Sequence, residues 1–359
     1  MANLIIDGFD YLPAGLSNSE YQRLLAANAW FLGQGSYAPN PAPVVGRFGF
    51  GMALQMGGLT YGPTAYVVPL PGNPHLTTGF FGFAMMVPAT GTGARVAIGF
   101  YDAVKNNFQL SVGFEANGVL RVYRGQTEIA ASEANAFQAG EWFHCEMKPT
   151  IDPAAGALEV RINTVPKVQL VGANTQNTTN AYFDSVFFGG FDQSVGTFTI
   201  DDVFFNDATG AANNTWSGNL RVKTQFMIGN GATDQFTIGG TNPAATNWQS
   251  VLNQTLDDTK YTYSATIGNS DLYTPNPNLN APAVRAVQVR AALRQDDATQ
   301  RSSKLLLRIG TTIYTGSIEH FTNQTFTFYK QRWDQSPATA VSFTGAEVNG
   351  LQAGLTVQS

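Results

Sequence analysis

The sequence predicts an all-β protein of two sandwich-like domains, and three observations favour this fold. Charged residues make up only 13% of the 359 residues, whereas ordinary globular chains carry roughly 25%. Apolar and polar residues alternate along many short segments, which is typical of half-buried strands. The 37 glycines supply tight turns between such segments. The length suits two domains, because domains mostly run ~100–200 residues.

Two predicted strand pairs show the pattern in the first part of the chain. Phe108–Phe114 alternates and is followed by Val119–Arg124 after an Asn-Gly turn, the strongest short hairpin signal. Phe143–Met147 and Leu158–Ile162 also alternate, and the turn-forming residues of Asp152–Gly156 separate them. Both pairs predict antiparallel ladders with one face in a core.

The chain is predicted to divide into a first domain at 1–206, a linker at 207–218 that is rich in Gly and Asn, and a second β domain at 219–359. Ser19–Ala29 is predicted as a short helix and Trp248–Leu252 as a helical turn. The strands predicted in the second domain are Leu220–Phe226, Tyr261–Ile267, Ala283–Leu293, Lys304–Gly310, Thr325–Trp333 and Leu355–Val357.

The first domain resembles laminin-G-like and concanavalin-A-like jelly rolls. A Gly-x-Trp strand at Gly140–Lys148, a turn and the short strand Leu158–Asn163 carry the resemblance. It implies that the opening strand Leu4–Tyr11 pairs with the closing strand Phe198–Phe205, which would place Asp7 near Asp201 and Asp202. The expected fold is therefore a concanavalin-A-like jelly-roll sandwich followed by a second β-sandwich-like domain.

The whole chain also resembles a group of tailed-bacteriophage virion proteins. The opening Asp-Gly-Phe-Asp, the segment Ile200–Val203, the segment Gly218–Val222 and the final stretch Ala346–Gly354 carry this likeness. It implies a non-enzymatic structural component of the virion, made in the bacterial cytoplasm, and does not fix its place in the head or the tail. Association with the tail tip or a tail fibre is the favoured interpretation. A head decoration protein is the alternative. The implied partners are other virion proteins and further copies of the chain, for instance in a trimer.

No residue is predicted to be catalytic. Glycoside hydrolases with this kind of sandwich carry Glu-x-Asp-x-(x)-Glu on one strand, because two carboxyl groups must flank the bond at ~5 Å. Glu141 and Glu146 are spaced to point to opposite faces of a strand. There is no Gly-x-Ser-x-Gly, phosphate-loop or His-Glu-x-x-His motif either. A lectin-like carbohydrate-binding module therefore ranks above a divergent glycoside hydrolase among the alternatives.

Asp7, Asp201 and Asp202 are candidate metal ligands. Asp7 and Asp202 are in phase with apolar neighbours, so their carboxylates are expected to approach the core and to need partners. A structural calcium ion would supply one, since calcium takes oxygen ligands. Hydrogen bonds from backbone N–H groups, or a bulge that turns one aspartate outward, would supply another. The second interpretation is favoured, and no cofactor other than calcium is indicated.

Four cations of the second domain, Arg290, Arg294, Lys304 and Arg308, are candidate binding residues. They fall on two predicted strands either side of Asp296–Gln300, and a hairpin would gather them into a basic patch. Such a patch could hold an acidic subunit or an anionic host glycan. A solvated outer face is the favoured interpretation. Nucleic acid is not an expected partner, because the net charge is −5 and no aromatic residues interleave with these cations.

Tyr61, Tyr66 and Trp142 are candidates for a sugar-stacking or interface surface. Tyr61 and Tyr66 lie in the Gly- and Pro-rich stretch 57–74, which reads as a loop, and exposed aromatic loops favour contact with protein or glycan. Large aromatic residues of a sandwich are more often core or interface than ligand site.

Three features that the sequence lacks limit its possible covalent structure and location. The single cysteine, Cys145, excludes an intramolecular disulfide. No apolar run approaches the ~20 residues of a membrane helix, and the first residues lack a signal-peptide pattern. Membrane insertion is therefore not expected.

Overall fold

The computed structural model describes residues 3–32, 42–56, 66–72, 74–87, 89, 95–104, 106–190, 197–252, 256–297 and 300–359. The chain divides into two compact units, Met1–Lys223 (unit 1) and Thr224–Ser359 (unit 2). Strands dominate both units, so the predicted all-β class is confirmed. Within the described residues, neighbouring strands of each sheet run antiparallel.

Unit 1 is a jelly-roll sandwich of two sheets, whose strands are numbered in chain order. The eight-stranded sheet contains β1 (Asn3–Asp7), β3 (Ala42–Val45), β4 (Met52–Met56), β6 (Gly79–Met86), β11 (Trp142–Thr150), β12 (Gly156–Ile162), β13 (Val165–Ala173) and β15 (Phe198–Asp207). The seven-stranded sheet contains β2 (Phe31–Leu32), β5 (Tyr66–Pro69), β7 (Arg95–Asp102), β8 (Asn107–Glu115), β9 (Leu120–Arg124), β10 (Thr127–Ala131) and β14 (Ser185–Gly190).

The core of unit 1 is an aromatic layer between these sheets. Phe81 of β6 is fully buried and lies 5.2 to 6.1 Å, ring centre to ring centre, from Phe83, Phe100, Phe188 and Phe205. Strand alternation delivers one such residue to the core at every second position. The expected pairing of the first and last strands is present, with Asp7 of β1 opposite Val203 of β15.

The predicted helix is α1 (Asn18–Ala27), which packs Tyr21, Leu24 and Leu25 inward. A capping box sets its start, because the Ser17 side chain accepts from the backbone N–H of Glu20 while the Glu20 carboxylate accepts from that of Ser17. The helix lies one to two residues from the predicted bounds.

The predicted linker 207–218 belongs to unit 1, and the boundary lies at 223/224 instead. The buried Glu146 carboxylate of β11 holds this segment, accepting from the backbone N–H groups of Ser217 (2.8 Å) and Gly218 (3.0 Å). Trp216 adds a stacking contact, with the Arg161 guanidinium 3.9 Å from its ring centre. The predicted strand Leu220–Phe226 is absent, because these residues make no ladder.

Unit 2 is built from three smaller sheets. Its five-stranded sheet has the order β16 (Met227–Asp234), β19 (Ser270–Pro275), β24 (Gln352–Val357), β21 (Arg301–Ile309) and β22 (Thr312–Phe321). The two-stranded sheets pair β17 (Thr237–Gly239) with β18 (Tyr261–Tyr263), and β20 (Val287–Leu293) with β23 (Thr327–Trp333). The short helices are α2 (Asn247–Val251), which matches the predicted helical turn, and α3 (Gly345–Gly350), which was not predicted.

The core of unit 2 is small. It gathers Leu305 and Leu307 of β21 with Phe343, Val348 and Leu351 around α3. Many apolar residues around it, among them Val287 and Trp333, are only partly buried. Among the described residues, no helix has the length and hydropathy that crossing a bilayer requires.

Candidate functional site

Asp7 is held inside unit 1 by hydrogen bonds. Its carboxylate accepts from the indole N–H of Trp30 (2.8 Å), the backbone N–H of Phe9 (3.0 Å) and the hydroxyl of Tyr11 (3.3 Å). Three donors satisfy a buried carboxylate without a metal. Asp7 therefore joins the opening strand to the Trp30 side chain through hydrogen bonds.

Asp201 and Asp202 lie at a bulge of β15, where the register against β6 shifts between Asp201 and Phe204. Asp202 has a left-handed backbone, with φ of 52°. Asp201 accepts from its neighbour's N–H (2.7 Å) and from the backbone N–H of Arg47 (3.0 Å), while Asp202 accepts from that of Val222 (2.7 Å). The bulge thus aims both carboxylates at surrounding backbone groups, as the favoured sequence interpretation expected.

The turn between β3 and β4, residues 46–51, is fastened to this bulge. The Arg47 guanidinium lies 3.5 Å from the Asp202 carboxylate, and both side chains are buried. Asp10 accepts from the backbone N–H of Met52 (2.9 Å), next to Gly51. Gly51 has φ of +72°, and a Cβ there would meet the Asp10 carboxylate, so glycine is required.

The turn carries an exposed aromatic platform, which we define as Phe48, Phe50 and Arg221. The two phenyl rings are about half exposed, at 47% and 56%, with their centres 6.4 Å apart. The Arg221 guanidinium lies 4.9 Å from the centre of the Phe48 ring and 4.2 Å from that of Phe50. Asp202 forms an ion pair with Arg47, which precedes Phe48, and accepts a hydrogen bond from Val222, which follows Arg221. One carboxylate therefore positions both the turn with the phenyl rings and the segment with Arg221.

The two aspartates hold protons unusually tightly. Burial, and for Asp201 the neighbouring charge of Asp202, raise the pKa of Asp201 to about 7, and burial raises that of Asp202 to about 6. Hydrogen bonds and the Arg47 charge limit both shifts. The pair therefore titrates near neutral pH as a unit.

His144 lies on the same face of the eight-stranded sheet, where it pairs with Ala84 on β6, and Ala84 pairs with Asp201 on its other side. Its ring is fully buried, lies parallel to that of Phe204, and has no hydrogen-bond partner among the described residues. Burial, with the Arg47 charge, lowers the pKa of His144 to about 3, so the imidazole is neutral. On the opposite, core-facing side of β11, burial raises the pKa of the Cys145 thiol well above its usual range.

The calcium prediction gains no support from this geometry. Asp7 has different partners from Asp201 and Asp202, so the three carboxylates do not converge on one point. Within the described ranges, no group of three or more His, Cys, Asp or Glu is placed to hold a metal ion.

The predicted basic hairpin is wrong. Arg290 lies on β20, which pairs with β23, whereas Lys304 and Arg308 lie on β21, which pairs with β22 and β24. The segment between β20 and β21 therefore links two sheets. Arg294 instead makes an ion pair with Asp258 at 2.9 Å, and Arg308 donates to Gln352 at 3.3 Å.

Aromatic residues do contact the cations on β20 and just after it, contrary to the sequence analysis. The Arg290 guanidinium lies 4.5 Å from the Phe328 ring centre, and that of Arg294 lies 4.9 Å from the Phe326 ring centre. Phe328 lies on β23 and Phe326 immediately before it, more than 30 residues further along the chain, so local sequence could not reveal these contacts.

The predicted aromatic surface is not assembled from the expected residues. Tyr66 is buried at the start of β5, where its ring packs edge-on against Trp30, so the loop prediction is wrong there. Trp142 is half-buried at the start of β11, in the other sheet. Tyr61 lies outside the described residues.

The residues that sequence reasoning missed are those of the platform. The signal was present in Gly46-Arg-Phe-Gly-Phe-Gly51, where three glycines within six residues favour a turn around the two phenylalanines. Glycine-rich turns lie at the surface, so these rings were candidates for exposure.

Comparison with known proteins places the chain in no family. No family model matches it, and no curated protein matches its sequence. Similar solved structures include a cellulose-induced protein, Cip1 (15% identity, TM-score 0.39, 57% of this chain and 97% of that one). Others are a glycoside hydrolase family 131 catalytic domain from Coprinopsis cinerea (15%, 0.37, 61% and 99%) and the carbohydrate-binding module CBM66 from Bacillus subtilis (9%, 0.33, 50% and 96%). At TM-scores below 0.5, these similarities do not indicate a ligand or a reaction for this chain.

Proposed function

We propose that this chain is a non-enzymatic structural component of a tailed-phage virion that works by binding through the aromatic platform of unit 1. The observation that supports binding is that two exposed phenylalanines and an arginine are held in place by buried hydrogen bonds and an ion pair. Aromatic and arginine side chains are enriched at contact surfaces. Pre-positioning them lowers the entropy that binding must overcome.

The virion assignment is supported by the sequence resemblance, whose Ile200–Val203 motif coincides with the aspartate bulge. In this proposal the motif is retained because Asp202 positions the platform. The tail is the proposed location, and a decoration of the head is the alternative.

Homo-oligomer formation is part of the proposal, and a small, partly buried sheet of unit 2 supports it. Within the described residues the β20–β23 ribbon has two strands. Val289 and Trp333 pack it against the core of unit 2, but most of its residues remain half-buried. Two-stranded sheets are marginally stable unless further structure covers them. A symmetric assembly, such as a trimer, would provide that cover.

Mass spectrometry of purified particles, with the copy number measured against the major head and tail proteins, tests the assignment. We expect this chain in intact particles at a copy number that is a small multiple of three, and in isolated tails. Recovery of the chain with empty heads at hundreds of copies would show that it belongs to the head and not to the tail. Absence from particles that contain every other structural protein would overturn the proposal.

A lectin-like carbohydrate-binding module with no structural role in a particle is the second candidate, since exposed aromatic rings also stack on sugars. A divergent glycoside hydrolase ranks last. Asp201 and Asp202 are a close pair of carboxyl groups at the platform, but both are buried and bonded to backbone N–H groups. Turnover of any member of a polysaccharide panel by the full chain would revive that candidate.

A further inference from the structure

We propose that the aromatic platform binds a carboxylate-bearing polysaccharide, with Arg221 holding the carboxylate and Phe48 and Phe50 packing against the sugar rings. This inference rests on the proposed binding function and names the chemistry of its ligand.

Arg221 is arranged as a carboxylate receptor. The carbon of its guanidinium lies over both phenyl rings, 4.9 Å from the centre of Phe48 and 4.2 Å from that of Phe50. Among the described residues the Arg221 guanidinium forms no hydrogen bond or ion pair, and its side chain is exposed. The N–H groups of an exposed guanidinium can donate two parallel hydrogen bonds to one carboxylate, while its contact with the rings limits its movement.

The two phenyl rings provide the apolar part of the site. They are tilted by 32° to each other, and their exposed fractions leave open surface on each ring. The C–H faces of a pyranose are apolar and can cover such rings, while the hydroxyl groups remain in water. Rings held in a rigid turn lose little conformational freedom on binding.

The charges around the platform select an anion. Arg47, Arg221 and Lys223 are its cations, and Asp10, Asp201 and Asp202 are its carboxylates. All three carboxylates accept from backbone N–H groups beneath the turn, those of Met52, Arg47 and Val222. His144 carries no charge, because its pKa is lowered. The negative charge is therefore directed inward, whereas the Arg221 guanidinium is at the surface.

The size of the platform favours a polysaccharide over a protein. Two rings and one guanidinium at the tip of a hairpin cover a few sugar units. A specific protein interface buries at least about 1,000 Å² and needs a broad surrounding surface. A repeating polymer gains by presenting many equivalent carboxylates to the copies in an assembly.

Binding of the purified full chain to polygalacturonate, to its methyl ester and to polyglutamate tests the proposal. We expect binding to polygalacturonate that weakens with salt, little binding to the uncharged ester, and little to polyglutamate, which lacks sugar faces. Arg221→Gln should weaken binding about tenfold or more. Arg221→Lys should weaken it less, because the charge remains while the paired donors are lost.

Arg124→Gln is the matched control, since it removes the same charge from strand β9 in the other sheet of unit 1. Phe48→Ala should weaken binding without changing its salt dependence. Circular dichroism and thermal melting of each variant exclude misfolding. Failure of wild type to bind polygalacturonate, equal binding of polyglutamate, or equal losses in Arg221→Gln and Arg124→Gln would each overturn the proposal. Particle composition is measured independently, so these failures leave the virion assignment standing.

Discussion

Unit 1 and unit 2 are both β-structured, but they bury very different amounts of apolar side chain. Among the described residues, 49 apolar side chains are buried in unit 1 and ten in unit 2. The ten are Leu272, Tyr273, Val289, Leu305, Leu306, Leu307, Phe343, Val348, Leu351 and Ala353. Burial of apolar area is the main favourable term in folding, so unit 1 has the means to fold alone. Unit 2 is the part whose stability should depend on partners.

Truncation of a core side chain in each unit gives the largest expected effect. Phe81→Ala should lower the free energy of unfolding of unit 1 by about 3–5 kcal/mol, because a fully buried ring leaves a cavity in a packed layer. Leu305→Ala in unit 2 should cost less, about 2–3 kcal/mol, since its half-buried neighbours can close around the gap. Urea unfolding of the full chain, followed by tryptophan fluorescence, measures both. A larger loss in Leu305→Ala would contradict the comparison.

The attachment of 207–218 to unit 1 gives the next effect. Glu146→Ala removes the acceptor of two backbone N–H groups and should cost about 1–3 kcal/mol. The released segment should also become sensitive to limited proteolysis. Glu141→Ala, at the exposed residue before the same strand, is the control and should be nearly neutral. Equal protease resistance in both variants would show that Glu146 does not hold the segment.

The pH dependence of unit 1 comes next in size. Asp201 and Asp202 have pKa values raised from 3.8, so they bind protons more tightly in the folded state. Their contribution to stability is full below about pH 4 and is lost as the pH rises through about 6 and 7. His144 acts in the opposite direction, because its pKa is lowered from 6.5. Its contribution is full above pH 6.5 and is lost as the pH falls toward about 3.

Between about pH 4 and 6 these two contributions partly cancel. His144→Phe removes one of them, so the free energy of unfolding of this variant should fall more steeply than that of wild type as the pH rises. Urea unfolding at a series of pH values measures both slopes, and Asp202→Asn should flatten the dependence. Parallel curves for wild type and His144→Phe would mean that His144 titrates normally.

Loss of a surface ion pair in unit 2 gives the smallest effect. Arg294→Gln breaks the contact with Asp258, which is largely exposed, and should change the stability by no more than about 1 kcal/mol. Thermal melting at low and high salt measures the change. A loss of the size expected for Leu305→Ala would indicate that the ion pair of Arg294 and Asp258 does hold unit 2 together.

Local patterns predicted the parts of the fold that local interactions decide. The hairpin of β8 and β9 follows from alternation and an Asn-Gly turn, and α1 follows from the inward-facing Leu24 and Leu25. The prediction of a basic hairpin was wrong because β20 pairs with β23, about 40 residues further along the chain. The spacing of strands along the sequence does not specify such a long-range pairing. Alternation placed Asp202 toward the core, but the left-handed backbone that directs its carboxylate to the N–H of Val222 is visible only in the folded chain.

The position of Cys145 has a practical consequence. It is the chain's only thiol, and it is buried against the core of unit 1 with a raised pKa. A thiolate is the reactive form, so alkylating reagents should reach this sulfur only when unit 1 opens. The rate at which an alkylating reagent modifies Cys145 therefore reports how often unit 1 opens, and no engineered cysteine is needed.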